Sequence, residues 1–280
     1  MSKPQSTADR RAERAAARRR RDRRGFAIAA TSTVVVLGGL AALILTSSGW
    51  SEVKDTFFNW EVFKQSFPDV LEAFWFDVRM FVVVEVVVLV LGLAVALVRT
   101  TTAPALFPVR LLALGYVDVF RGIPTLLLVY LIGFGIPALE LSGLPTSAVV
   151  LGGAALALSY GAYVSEVYRA GIVSVHRGQR DAARAIGLTE GQALRHVILP
   201  QAVRRVGPPL LNDFISLQKD IVLISVLGVA GEAFRVAQID AASDFNYTPL
   251  IAAAICFLAI TIPLARIVDR LSVGTGGVAR

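Results

Sequence analysis

A chain of 280 residues that is 55% hydrophobic, with a mean hydropathy of +0.64, is too apolar for a soluble domain, so the bilayer is its solvent. The net charge of +7 invites a nucleic-acid reading until it is located: residues 1–24 hold ten bases against Asp9, Glu13 and Asp22, and the remaining 18 bases and 18 acids cancel. The single cysteine, Cys256, excludes an intramolecular disulfide and makes redox chemistry a poor reading.

In chain order, residues 1–24 read as a disordered basic tail. No folded recognition motif follows it, so its partner is anionic membrane lipid and not nucleic acid. The apolar stretch that follows is about 20 residues long, enough to cross ~30 Å of hydrocarbon. Residues 25–46 are therefore expected to form an uncleaved first transmembrane helix and not a signal peptide. Residues 47–76 mix Trp50, Phe57, Phe58, Trp60, Phe63, Phe67, Phe74 and Trp75 with acids, which predicts an extracytoplasmic segment with a short amphipathic helix or an aromatic belt at the interface. Further apolar segments near 77–98, 113–137, 146–168, 206–230 and 248–268 give five more spans. Residues 77–271 thus form a core with a polar loop at 178–200, and 272–280 form a C-terminal tail. The fold class is all-α, with six transmembrane helices and no internal repeat.

Charge sets the orientation. Counting the tail as inside, the segments on that side hold 22 bases, whereas the opposite loops hold only Lys54, Lys64 and Arg235 against nine acids. This asymmetry predicts both termini in the cytoplasm. His176 and His196 flank the polar loop without acidic or cysteine partners at ligand spacing, so no metal site is expected.

Residues 181–200, DAARAIGLTEGQALRHVILP, predict two short helices joined through Gly187 and ended by Leu199 and Pro200, a docking piece without catalytic groups. The spacing resembles the coupling loop of binding-protein-dependent ABC permeases, E-A-A, three residues, G, nine residues, I, one residue, L-P. The matching positions are Asp181, Ala182, Ala183, Gly187, Val197, Leu199 and Pro200, with the shorter Asp181 in place of glutamate. The segments YVDVFRGIPTLLLVYLIGFGIP (116–137), GAYVSEVYRAGIVSVHRGQRDAARAIG (161–187) and PPLLNDFISLQKDIVLISVLGV (208–229) resemble the polar amino-acid uptake group of the type I importers. Ala170 replaces a glycine of that pattern, and Ile221-Val222 replace a hydroxyl pair after Lys219-Asp220.

The resemblance implies a type I importer permease fold in the cell inner membrane, one of two permease subunits in a homo- or heterodimer. It implies a separate ABC ATPase and an extracytoplasmic solute-binding protein as partners. Its substrate would be a polar amino acid: glutamate, glutamine or a basic one. The residues agree in one respect, because no G-x-x-x-x-G-K-[ST] phosphate loop stands in the chain. The chain is not expected to be an enzyme or to carry a cofactor; ATP belongs to the partner.

Ionisable groups inside spans cost about 2.5–3.5 kcal/mol or more on insertion scales and mark function by default. The candidates are Arg79, Glu85, Asp118, Arg121, Glu166, Asp213, Lys219 and Asp220. Asp213 and Asp220, seven apart on one helix face, lie about 10.5 Å apart along the axis, and with Asn212, Ser216 and Gln218 they make the fifth span the most polar. The resemblance places both on the transport path, as partners of a substrate ammonium or cationic side chain; the alternative is that Asp220 neutralises Lys219 or another span's arginine. Arg121, before Gly122 and Pro124, suits an α-carboxylate held by two parallel hydrogen bonds, or else an ion pair with Asp118. Glu166 faces the substrate or pairs with Arg169. A secondary transporter or channel, with Glu85 and Lys219 as an ion relay, is the alternative function, but it gives no reason for the 181–200 loop.

Overall fold

The computed structural model describes residues 7–101 and 103–275, and the side chains of 24–101, 103–203 and 205–270. The regular elements among them are all helical. The chain divides into two units, residues 1–57 and 58–280.

The first unit holds α1 (Thr7–Leu45) and α2 (Trp50–Phe57). Arg24–Leu45 of α1 is long and apolar enough to cross a membrane, as the sequence predicts. The helix begins earlier than expected, because the arginine-rich stretch assigned to a disordered tail is helical from Thr7 onward. Its alternation of Ala and Arg explains the difference, since both are strong helix formers. Residues 1–6 of that tail, and 276–280 of the C-terminal tail, lie outside the described residues.

In the second unit α3 (Trp60–Thr100) starts at Asn59, whose Oδ1 accepts from the Glu61 and Val62 amides at 3.0 and 3.2 Å. This cap makes residues 60–76 continuous with the expected second span in one helix of 41 residues. Trp60, Phe63 and Phe67 stack along it, with ring centroids 5.5 and 5.0 Å apart.

A 3₁₀ turn at Pro104–Leu106 leads into α4 (Phe107–Gly122) and α5 (Thr125–Ala138), which meet at a bend of 106°. Pro124 cannot donate to a continuing helix, so the expected third span is a broken pair. Next comes α6 (Ala148–Ser174), the central helix of the unit, packed on α3, α4, α5 and α9. Small residues let it come this close: a Cβ at Gly92 of α3 would lie 2.7 Å from Val164 Cγ1 of α6. Val84, Val88, Val129, Leu156, Leu217, Ile221 and Ile224 fill the core between them.

The polar loop contains α7 (Arg177–Ala185) and α8 (Glu190–Ala193), followed by a π-helical turn, Leu194–Ile198, and α9 (Leu199–Asp220). A 3₁₀ segment, Ile221–Leu227, continues α9 and ends at Gly228 in left-handed backbone, φ +76°. Then α10 (Ala233–Ser243) and α11 (Thr248–Thr275) pack on the start of α3 around Val70, Phe74, Ala237, Ala252 and Cys256. Among the described residues, α1, α3, α6 and α11 are long and apolar enough to span, and the bent α4–α5 pair makes a fifth. The remaining expected span, 206–230, falls on α9 and its 3₁₀ extension, which carry Asp213, Lys219 and Asp220.

Candidate functional site

The loop is built as a presented surface. Gly187 has φ +89°, the left-handed backbone that glycine adopts without strain. The Leu188 amide donates to Ala183 O at 3.1 Å and the Gly187 amide to Arg184 O at 3.0 Å, the paired bonds that close a helix on a glycine. Thr189 then caps α8, its Oγ1 accepting from the Gln192 amide at 3.3 Å while the Gln192 side chain accepts from the Thr189 amide at 2.9 Å. Two caps back to back fix a sharp corner. Asp181, Ala182 and Gly187 stand exposed, whereas Ala183 is buried. Ile198 of the same loop packs with Ile172, Val175 and Ala202.

Two features differ from the sequence expectation. Leu199 and Pro200 do not end the second helix; they begin α9. The Leu199 amide reaches back to Leu194 O through the π-helical turn, and Pro200 falls in the first turn of α9, where a missing amide costs nothing. The other is Ile186, 79% exposed beside Gly187 at the corner.

Polar residues form a row that runs from the buried Tyr160 to the exposed Tyr163 and Arg121. Asp220, the last residue of α9, accepts from the Tyr160 hydroxyl of α6 at 2.8 Å. One turn along α6, Tyr163 lies 6.4 Å from Tyr160 by ring centroids. The Arg121 guanidinium sits over the Tyr163 ring, 5.4 Å from its centroid, and the Tyr163 hydroxyl donates to the Arg121 carbonyl at 3.3 Å. That carbonyl lies in the last turn of α4, where the break at Pro124 leaves acceptors free. A cation also belongs at such a helix end.

Asp213 stands two turns before Asp220 on α9. Its Oδ2 is buried without a hydrogen-bond partner. The structure thus joins Arg121 and Asp220 through two tyrosines that sequence reading missed. Their spacing, i and i+3 beside Glu166, was the available signal.

Glu166 belongs elsewhere. Its Oε2 accepts from Arg99 Nη1 at 2.6 Å, and its Oε1 accepts from Arg169, with Nε at 2.9 Å. Both carboxylate oxygens are engaged by guanidinium groups, which removes Glu166 from the substrate-facing set and fixes the end of α3 to α6. Among the described residues no ion pair joins Asp220 to Lys219 or Arg121 to Asp118. No group of three metal-ligating side chains occurs among them either.

Membrane-length helices, a row of charged and aromatic side chains and a capped, exposed corner in the polar loop are the features of a transport subunit. The chain belongs to the family of binding-protein-dependent transport system inner membrane components, whose model matches residues 88–275. It is 33% identical over 198 residues to the arginine transport system permease protein ArtQ of Bacillus subtilis, covering 70% of this chain and 88% of that one. It is 36% identical over 176 residues to the probable glutamine permease GlnM of the same organism, covering 63% and 79%. Among solved structures, an amino acid ABC transporter aligns with TM-score 0.64 at 31% identity, covering 72% of this chain and 92% of that one. The fold is that of a type I importer permease, in a multi-pass membrane protein with no ATPase motif of its own.

Proposed function

We propose that this chain is the permease subunit through which a polar amino acid moves inward, with energy from a separate ABC ATPase docked on the 178–200 loop. A second permease subunit, identical or paralogous, completes the pathway, and an extracytoplasmic solute-binding protein delivers the substrate. In this reading both termini and the loop are cytoplasmic, and the Trp50–Phe57 helix lies outside.

The observation that carries the reading is the row Arg121, Tyr163, Tyr160, Asp220. A guanidinium at one end suits an α-carboxylate and an aspartate at the other suits an ammonium, with the two tyrosines between them. Asp213, two turns before Asp220 on the same helix, adds a second acid on the ammonium side, which favours a cationic side chain as the second charge of the substrate. The relatives that transport arginine and glutamine carry substrates of this class by name.

The test is uptake by the reconstituted transporter, driven by ATP, in competition among arginine, glutamine and glutamate. Arginine is expected to compete best, because two acids stand beside the ammonium position. Uptake of apolar amino acids alone would overturn the assignment of the row.

A further inference from the structure

The start of α10 is fastened by two acids. The Ala233 amide donates to Asp77 Oδ2 of α3 at 3.2 Å, and the Phe234 and Arg235 amides donate to the two Glu232 oxygens at 2.9 and 2.7 Å. The Val236 amide then opens the helical ladder onto Glu232 O at 2.9 Å. All the leading amides of the helix are thereby satisfied.

The corner is dry. Asp77 is 2% exposed and Glu232 is fully buried, and Asp77 Oδ1 has no hydrogen-bond partner. Among the described residues no Lys, Arg or His nitrogen lies within 4.0 Å of either carboxylate. The other ionisable groups on the packed elements are Glu61, Lys64, Asp69, Glu72, Arg79, Glu85 and Arg99 on α3, Arg235 and Asp240 on α10, and Arg266, Asp269, Arg270 and the buried thiol Cys256 on α11; the Ile221–Leu227 segment has none. A helix N-terminus carries roughly half a positive charge, enough to offset part of one carboxylate but not two. Two ionised acids here would repel each other in a medium that solvates neither.

We propose that Asp77 and Glu232 together bind one proton, and that this proton keeps the first turn of α10 clasped to α3.

Burial raises the Glu232 carboxyl to about 7, against the pull of its two amide bonds. An acid held above its ordinary value of about 4.3 stabilises the fold fully at low pH and loses that contribution as pH rises through its folded value. Applied to these two values, opening of the corner becomes about tenfold easier between pH 6 and pH 8. The segment affected adjoins the starts of α3 and α11, which are joined by the Asn59 amide donating to Thr248 Oγ1 at 3.0 Å. The clasp therefore gives one end of the helical body a pH-dependent stiffness, and it holds whichever substrate is carried.

Hydrogen exchange on the full chain in lipid nanodiscs tests this, at pH 6 and pH 8 with intrinsic exchange corrected and ionic strength fixed. Protection of the α10 leading amides is expected to fall about tenfold at pH 8 in the wild type, while α6 stays unchanged. Glu232→Gln should abolish the difference, and Asp77→Asn, which removes the repulsion but not the burial of Glu232, should shrink it. Equal protection at both pH values would overturn the proposal, and so would a pH response that survives in both variants. Protection that follows sodium concentration and not pH would show a metal-cation site instead, and would equally overturn it.

Discussion

The Tyr160 hydroxyl donates to Asp220 Oδ2 at 2.8 Å and so ties the middle of α6 to the last residue of α9, at the point where regular α-helix gives way to the 3₁₀ segment Ile221–Leu227. An aspartate held by one neutral donor keeps its remaining acceptor capacity for a ligand. Asp220→Asn is expected to lower apparent substrate affinity by roughly ten- to a hundredfold, the loss of a charge-assisted contact of about 1.5–3 kcal/mol. Tyr160→Phe removes only the neutral hydrogen bond and should cost about two- to tenfold. Concentration-dependent uptake in proteoliposomes measures both; wild-type values in Asp220→Asn would make the aspartate structural.

Asp213 separates function from stability. Its Oδ2 is buried without a hydrogen-bond partner. Asp213→Asn is therefore expected to raise thermal stability while lowering uptake. A variant that is both less stable and less active would show that the charge serves the fold.

The apolar spans, the polar loop and the placing of Asp213 and Asp220 on one helix were legible because each rests on local composition or spacing. Gly187 was legible too, since a glycine between two short helices demands left-handed backbone, and it has it. What sequence hid depends on distant neighbours. Nothing in the chain order tells that Arg99 would reach Glu166, 67 residues away, ahead of a substrate. The bend at Pro124 was visible, but not that the freed Arg121 carbonyl would be met by Tyr163 from another helix. Leu199 and Pro200 were read as a stop because proline ends helices more often than it opens them; the π-helical turn before them reverses the sense.

Glu166 anchors two cations, and Arg99 is only 11% exposed at its side chain, with Nε buried and unpartnered. Glu166→Gln would leave Arg99 charged and uncompensated, at a cost of about 3–5 kcal/mol, as for breaking a buried pair. The expected result is a sharp drop in the midpoint of thermal unfolding and in membrane yield. Arg169→Gln should be milder, because Arg99 keeps its partner. Unchanged thermal unfolding in Glu166→Gln would reopen a substrate role for this residue.

Orientation is testable with the native cysteine removed. Cys256 is buried among small residues, so Cys256→Ala should fold. Single cysteines at Ser51, Thr146 or Ser243, all exposed, are expected to label with an impermeant maleimide in intact cells, and one at Thr189 to remain unlabelled. Labelling at Thr189 would reverse the topology and place the docking corner outside.

The corner itself gives the most informative test, because its backbone and its surface can be perturbed separately. Gly187 sits at φ +89° with no heavy atom within 4 Å of where a Cβ would stand, so a side chain there meets strain but no clash within the chain. Gly187→Ala should cost about 1 kcal/mol of local stability and little else. Aspartate tolerates left-handed backbone better than most residues, so Gly187→Asp should keep the turn while placing charge and bulk beside the exposed Ile186. Asp181 is exposed and makes no ion pair among the described residues, which leaves it for a partner; Asp181→Arg reverses the charge that partner meets. Both variants are expected to insert normally and to lose uptake, co-purified ATPase and substrate-stimulated ATP hydrolysis. Gly187→Ala should retain most of all three, since the partner meets a methyl group and no charge. Wild-type coupling in Gly187→Asp would remove the corner from the docking surface, and loss of coupling in Gly187→Ala alone would make backbone shape, not surface charge, the property that the partner reads.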